Sequence, residues 1–176
     1  MTMGRSSAYW SANRYPDPEA EPQPTAPISD LPASAGARFR AVRSGLLSIK
    51  GVAESVRYMG ANWRWSWEYG IGSRKLCWLH VVGDGISATF TLSDMEESRV
   101  RAIARLPADL ARAIAEAQRT GPLRWCWLEL ADRRSVDGFL TFARRKGEWL
   151  SERPAPHRGP RPRGPSKRRG GDLEAE

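Results

Sequence analysis

The sequence predicts an α+β fold, an antiparallel meander of three to four strands plus a further strand, packed under helices on one face. Three observations carry this. Residues 63–69 alternate aromatic and polar, residues 74–92 form two apolar strands around an Asp-Gly turn, and apolar residues on either side recur at spacings of three and four. Strands grouped together and helices grouped around them are the α+β pattern, as distinct from strict βαβ alternation.

In chain order, Phe39, Val42, Leu46, Ile49, Ala53 and Val56 give a helical stripe over 38–57. Gly45 and Gly51 weaken that helix by up to roughly 1 kcal/mol each and predict a break near Gly51. A short extended piece over 56–60 follows. Trp63, Trp65, Trp67 and Tyr69 form a ladder on one strand face, and Gly70-Ile71-Gly72-Ser73 is a turn. Residues 74–82 read as a strand covered on both faces, Gly83-Asp84-Gly85 as a tight hairpin turn, and 86–92 as a third alternating strand.

Ser93 and Glu96 form a capping-box pattern ahead of Val100 and Ile103. Pro107 suits the first turn of a second helix carrying Leu110, Ile114 and Ala117, which Gly121-Pro122 stops. Leu123 to Leu130 is a further strand, with Trp125 and Trp127 on one face. Ser135 is the predicted cap of a last helix with the stripe Val136, Phe139, Leu140 and Ala143, ending near Gly147.

The ends differ from this middle. Eleven of the thirteen prolines fall between Pro16 and Pro32 or between Pro154 and Pro165. The expected organisation is a disordered Pro-rich tail over 1–34, one domain over 35–150, and a disordered basic Pro/Gly/Arg tail over 151–176. The net charge of +8 divides into −2, +7 and +3 over these parts, so the domain carries most of it. No apolar run reaches the roughly 18 residues of a membrane span, and residues 1–30 lack the apolar core of a secretory signal. Cys77 and Cys126 each sit in an apolar run and are expected as buried free thiols, which points to a cytoplasmic location and excludes a disulfide framework.

Gly60, Trp65-Ser66, Tyr69 and Leu76-Cys77-Trp78-Leu79 resemble the bacterial domain-of-unknown-function family 3788. That family runs Gly, three residues, Gly-Trp-Ser, two residues, Tyr, then a Leu-Cys-aromatic-Leu strand. Leu106-Pro107, Gly121, Trp125 to Leu130 and Lys146 continue the resemblance, which covers about residues 55–148. Arg64 departs from it, standing where the family usually has Gly. The resemblance implies a small α+β domain and supplies no activity.

Two function classes follow. The first is a non-enzymatic binding module for a small hydrophobic or aromatic ligand, which would use Trp63, Trp65, Trp67, Tyr69, Trp78, His80, Trp125, Trp127 and Glu129. Indoles stack flat ligands, and strand alternation puts the Glu129 carboxylate beside Trp125 and Trp127. Against this, the same aromatic face is also what a helix-covered core looks like. A lone His among apolar residues reads first as a satisfied buried side chain. Glu68 and Asp84 are expected to face water.

The second class is nucleic-acid association. Arg105, Arg112 and Arg119 repeat every seven residues and would share one helix face, and Arg161, Arg163, Lys167, Arg168 and Arg169 enrich the tail. No metal-ligand spacing, Ser-His-Asp set or phosphate loop occurs, so no cofactor and no metal are expected and catalysis has no positive support. No membrane partner is expected, and the oligomeric state is left open.

Overall fold

A computed structural model describes residues 5–152. Its centre is a six-stranded antiparallel sheet in the order β1-β2-β3-β4-β6-β5, with strands β1 (Val52–Tyr58), β2 (Trp65–Ile71), β3 (Arg74–Val82), β4 (Gly85–Leu92), β5 (Gln118–Thr120) and β6 (Leu123–Glu129). The α+β class and the meander are as the residue pattern predicts. Each hairpin of the β1–β4 meander follows chain order, and β6 then pairs with β4 in the register Ser87↔Glu129 to Leu92↔Arg124.

One sheet face is the main core. Helices α3 (Ala33–Leu47) and α7 (Arg133–Ser151) lie on it, burying Phe39, Val42, Leu46, Val136, Phe139 and Phe142 against Trp67, Leu79, Ala88, Phe90 and Cys126. The two helices approach closely at Gly45, where a Cβ would lie 2.5 Å from Leu140 Cδ1. Gly45, read from sequence as a weak point, is what lets these helices touch. Helix α5 (Asp94–Arg101) opens with the predicted Ser93–Glu96 capping box, and α6 (Ala108–Ala115) starts after Pro107.

Several boundaries differ from expectation. Helix α3 ends at Leu47, and the positive φ of Gly51 (81°) turns the chain into β1, which takes 52–58 as a full strand. The α6 helix stops at Ala115, so 118–120 add an edge strand to β6. Asp132, not Ser135, caps α7; its carboxylate accepts from Ser135 N at 2.7 Å while Ser135 Oγ accepts from Asp132 N, a reciprocal box in which Ser135 is the third helical residue.

The largest correction concerns the N-terminus. Residues 5–34, expected as a disordered tail, form α1 (Ser7–Ser11) and α2 (Ala26–Asp30) and pack on the sheet. Asn13 forms a β-bridge with Val82, Arg14 N donates to Val81 O at 3.0 Å, and Gly83 N donates to Ala12 O at 2.8 Å. Composition missed this because a few large side chains, Trp10 and Leu31 among them, supply enough buried area to anchor a polar segment. Residues 5–15 act as a strap across the second sheet face. The tail over 153–176 lies outside the described residues.

Candidate functional site

The aromatic ladder does not survive as one surface. Trp63 falls in a short helix, α4 (Gly60–Trp63), and the chain leaves that helix through Arg64 at φ 55° and ψ −144°. This reversal places Trp63 on the face opposite Trp65, Trp67 and Tyr69. Trp67 and Tyr69 are fully buried in the main core; the Trp67 indole donates to Pro24 O at 2.9 Å, and the Tyr69 hydroxyl donates to Glu54 Oε2 at 2.7 Å. Arg43 holds Glu54 bidentately, and burial together with the Glu54 charge pushes the Tyr69 phenol far up. The Trp65 indole donates to Asp17 O at 2.6 Å. These three side chains are structural.

The second face gathers Trp63, Trp78, His80, Trp125 and Trp127 under the strap, where Trp10 packs edge-on against His80 at 4.9 Å. Trp63 packs against Trp78 and Trp125, and Trp78 stacks on Trp125 at 5.8 Å and 23°. For an interior this face is unusually polar, holding Ser66, Ser87 and Thr89 as well. His80 is fully buried, with Nδ1 3.0 Å from Ser66 Oγ and Nε2 2.9 Å from Thr89 Oγ1. Burial lowers its pKa to about 3, so the ring is a neutral link between two hydroxyls.

Glu68 is also buried, contrary to its expected exposure. It accepts from Lys75 Nζ at 2.6 Å and from the Trp78 indole at 3.0 Å. Burial opposes its charge, but Lys75, Trp78 and Arg57 outweigh that and hold the carboxyl below its ordinary range. Asp84 is exposed as expected and pairs with Arg14.

Of the predicted ligand residues, Trp125, Trp127 and Glu129 line a cleft. This cleft, of about 570 Å³, runs between α6 and β6, with Trp125, Trp127 and Leu128 as its floor. Helix α6 contributes Asp109 and Arg112, and Glu116 follows its end; Asp132 and Arg134 come from the cap and first turn of α7, and the strap contributes Arg5. Both indoles are half-buried and Glu129 is exposed. The Arg5 guanidinium lies 3.6 Å from the Trp127 ring centroid, and Tyr9 meets Trp127 edge-on at 5.5 Å and 90°. Sequence reasoning missed Arg5 and Tyr9 because they belong to a segment with no periodicity.

The arginines of the second function class separate. Arg105 lies before α6, Arg112 within it, and Arg119 on β5, so they do not share a helix face. Arg119 pairs with Asp94 at 2.7 Å and with buried Glu97 at 2.5 Å, and Arg101 and Arg124 converge on the same Glu97. Arg161, Arg163, Lys167, Arg168 and Arg169 lie outside the described residues. Among the described residues no group of three His, Cys, Asp or Glu could hold a metal ion, and no helix is long and apolar enough to cross a membrane. Cys77 and Cys126 are free and buried, as expected, and burial pushes both thiols up.

Comparisons of the chain with protein-family models, with curated proteins and with solved structures found no match.

Proposed function

We propose that the cleft between α6 and β6 binds a small aromatic molecule on the Trp125–Trp127 floor, making this chain a binding module. The observation that supports it is the placement of those two indoles. The other predicted aromatic residues are buried with their polar atoms engaged or their rings packed, whereas Trp125 and Trp127 are half-open beneath a concave wall. An apolar, aromatic base is the usual foundation of a small-molecule pocket, and here seven charged side chains surround it. Offset or edge-on contact with an indole favours a flat ring. Glu129 stands at the rim, in reach of a ligand's polar substituents.

Titrating the full chain with indole and with benzamide, while following the indole N–H resonances by two-dimensional NMR, tests the reading. Support is a saturable shift of the Trp125 and Trp127 resonances that Trp127→Leu abolishes. Shifts confined to other indoles, or none with either probe, overturn it.

A further inference from the structure

Resting on that reading of the cleft, we infer that its ligand carries a planar organic cation of the amidinium or guanidinium class, and that Arg5 is this chain's own occupant of the cation position. The geometry is that of an aromatic corner. Tyr9 and Trp127 stand perpendicular with centroids 5.5 Å apart, and the Arg5 Cζ sits 3.6 Å from the Trp127 centroid and 5.7 Å from that of Tyr9. An indole face attracts a cation through its quadrupole, more strongly than any other side-chain ring. The corner is held ready: the Tyr9 hydroxyl lies 3.0 Å from Ser87 Oγ, and the ring packs edge-on against Trp10 as well as Trp127.

Arg5 itself is exposed and, among the described residues, forms no ion pair and rests on the Trp127 ring. When it leaves, the cleft keeps four carboxylates, Asp109, Glu116, Glu129 and Asp132, against the guanidiniums of Arg112 and Arg134. That balance selects a cation. At the α7 end of the cleft the Asp132–Ser135 box already engages the Asp132 and Ser135 amides, and at the α6 end the Asp109 carboxylate accepts from the Leu110 amide. An anion would therefore meet a carboxylate majority.

Three probes of one shape and different charge decide the matter: benzamidinium, benzamide and benzoate. Each is titrated into the full chain while the Trp127 indole N–H is followed by NMR. Benzamidinium is expected to bind roughly tenfold tighter than benzamide, a difference of one decade in Kd. Arg5→Ala is expected to tighten benzamidinium about two- to fivefold by removing the competing cation. Arg14→Ala, which deletes the same charge from the strap away from the cleft, is expected to leave that affinity unchanged.

Equal or tighter binding of benzamide or benzoate at Trp127 overturns the cation assignment while leaving the aromatic cleft standing. Weaker or unchanged benzamidinium binding in Arg5→Ala, or equal gains in Arg5→Ala and Arg14→Ala, removes Arg5 as occupant. No shift of the cleft indoles by any of the three overturns both readings.

Discussion

The carboxamide of Asn13 donates to the carbonyl of Trp63 at 2.8 Å, joining residues 50 apart in the chain. The same Nδ2 reaches Trp65 O at 3.3 Å, and Oδ1 accepts from Tyr15 N at 2.8 Å. One buried side chain thereby satisfies backbone groups on both sides of the Arg64 reversal and pins the strap over the aromatic face. Asn13→Ala removes these bonds, leaving Trp63 O only the longer contact from Ser66 Oγ at 3.4 Å, and each buried group left short of a partner costs about 1–3 kcal/mol. The expected result is a lower urea midpoint, and faster hydrogen exchange at the Arg14 and Gly83 amides than at main-core amides. Unchanged exchange at those two amides would show that the strap is held by its rings alone.

Arg64 is the one non-glycine residue with positive φ among the described residues. Its φ of 55° with ψ of −144° is a conformation glycine adopts freely and an L side chain occupies at a cost of roughly 1–3 kcal/mol. Part of that cost is offset by Arg64 Nη1 donating to Ser11 O at 3.0 Å on the strap. Arg64→Gly is expected to stabilise the chain by about 1 kcal/mol, the strain relieved less the bond and the added chain entropy. Arg64→Ala keeps the strain and loses the bond, so it is expected to destabilise. Thermal unfolding of the two variants checks the opposite signs.

His80 makes stability depend on pH. Burial holds its folded-state pKa at about 3, below the ordinary 6.5. Between those values the unfolded chain takes up a proton that the folded chain refuses, so unfolding is favoured as pH falls. The contribution is fully present above the unfolded value and is lost on acidification through that window. Urea midpoints measured from about pH 8 to about pH 4 are expected to fall more steeply for the native chain than for His80→Gln, which cannot take up that proton. Parallel profiles would mean that other groups control the acid limb.

Buried Lys146 and half-buried Glu96 form an ion pair, with Nζ 2.5 Å from Oε1 and 2.8 Å from Thr91 O. Burial opposes ionisation of Glu96, but the Lys146 charge and the Ser93 hydrogen bonds outweigh it and hold the carboxyl below its ordinary range. Removing one partner strands the other charge, so Lys146→Ala is expected to cost about 3–5 kcal/mol. The double variant Lys146→Met with Glu96→Gln is expected to recover most of this. With the folded value depressed, the pair's contribution is present above the ordinary carboxylate range and lost as pH falls through the lowered value. Calorimetry on the single and double variants measures both effects.

The sequence by itself determined the meander, the Asp-Gly hairpin, the Ser93 capping box and the stripes of α3 and α7, because each rests on a local period or a local hydrogen-bonding pattern. It also determined that Trp125, Trp127 and Glu129 share a face. Only the tertiary structure decided which indoles share a surface. Period two states that residues alternate, not which side meets the helices, and the reversal at Arg64 moves Trp63 off a ladder whose spacing alone looks continuous. Tertiary contacts likewise decided the fate of the N-terminal segment. Composition averages over a Pro-rich stretch, whereas docking depends on a few side chains, Trp10, Asn13 and Tyr9, finding a complementary face elsewhere in the chain. The candidate site shares that origin. Its floor is written in β6, and its cation comes from Arg5, brought to Trp127 by the strap.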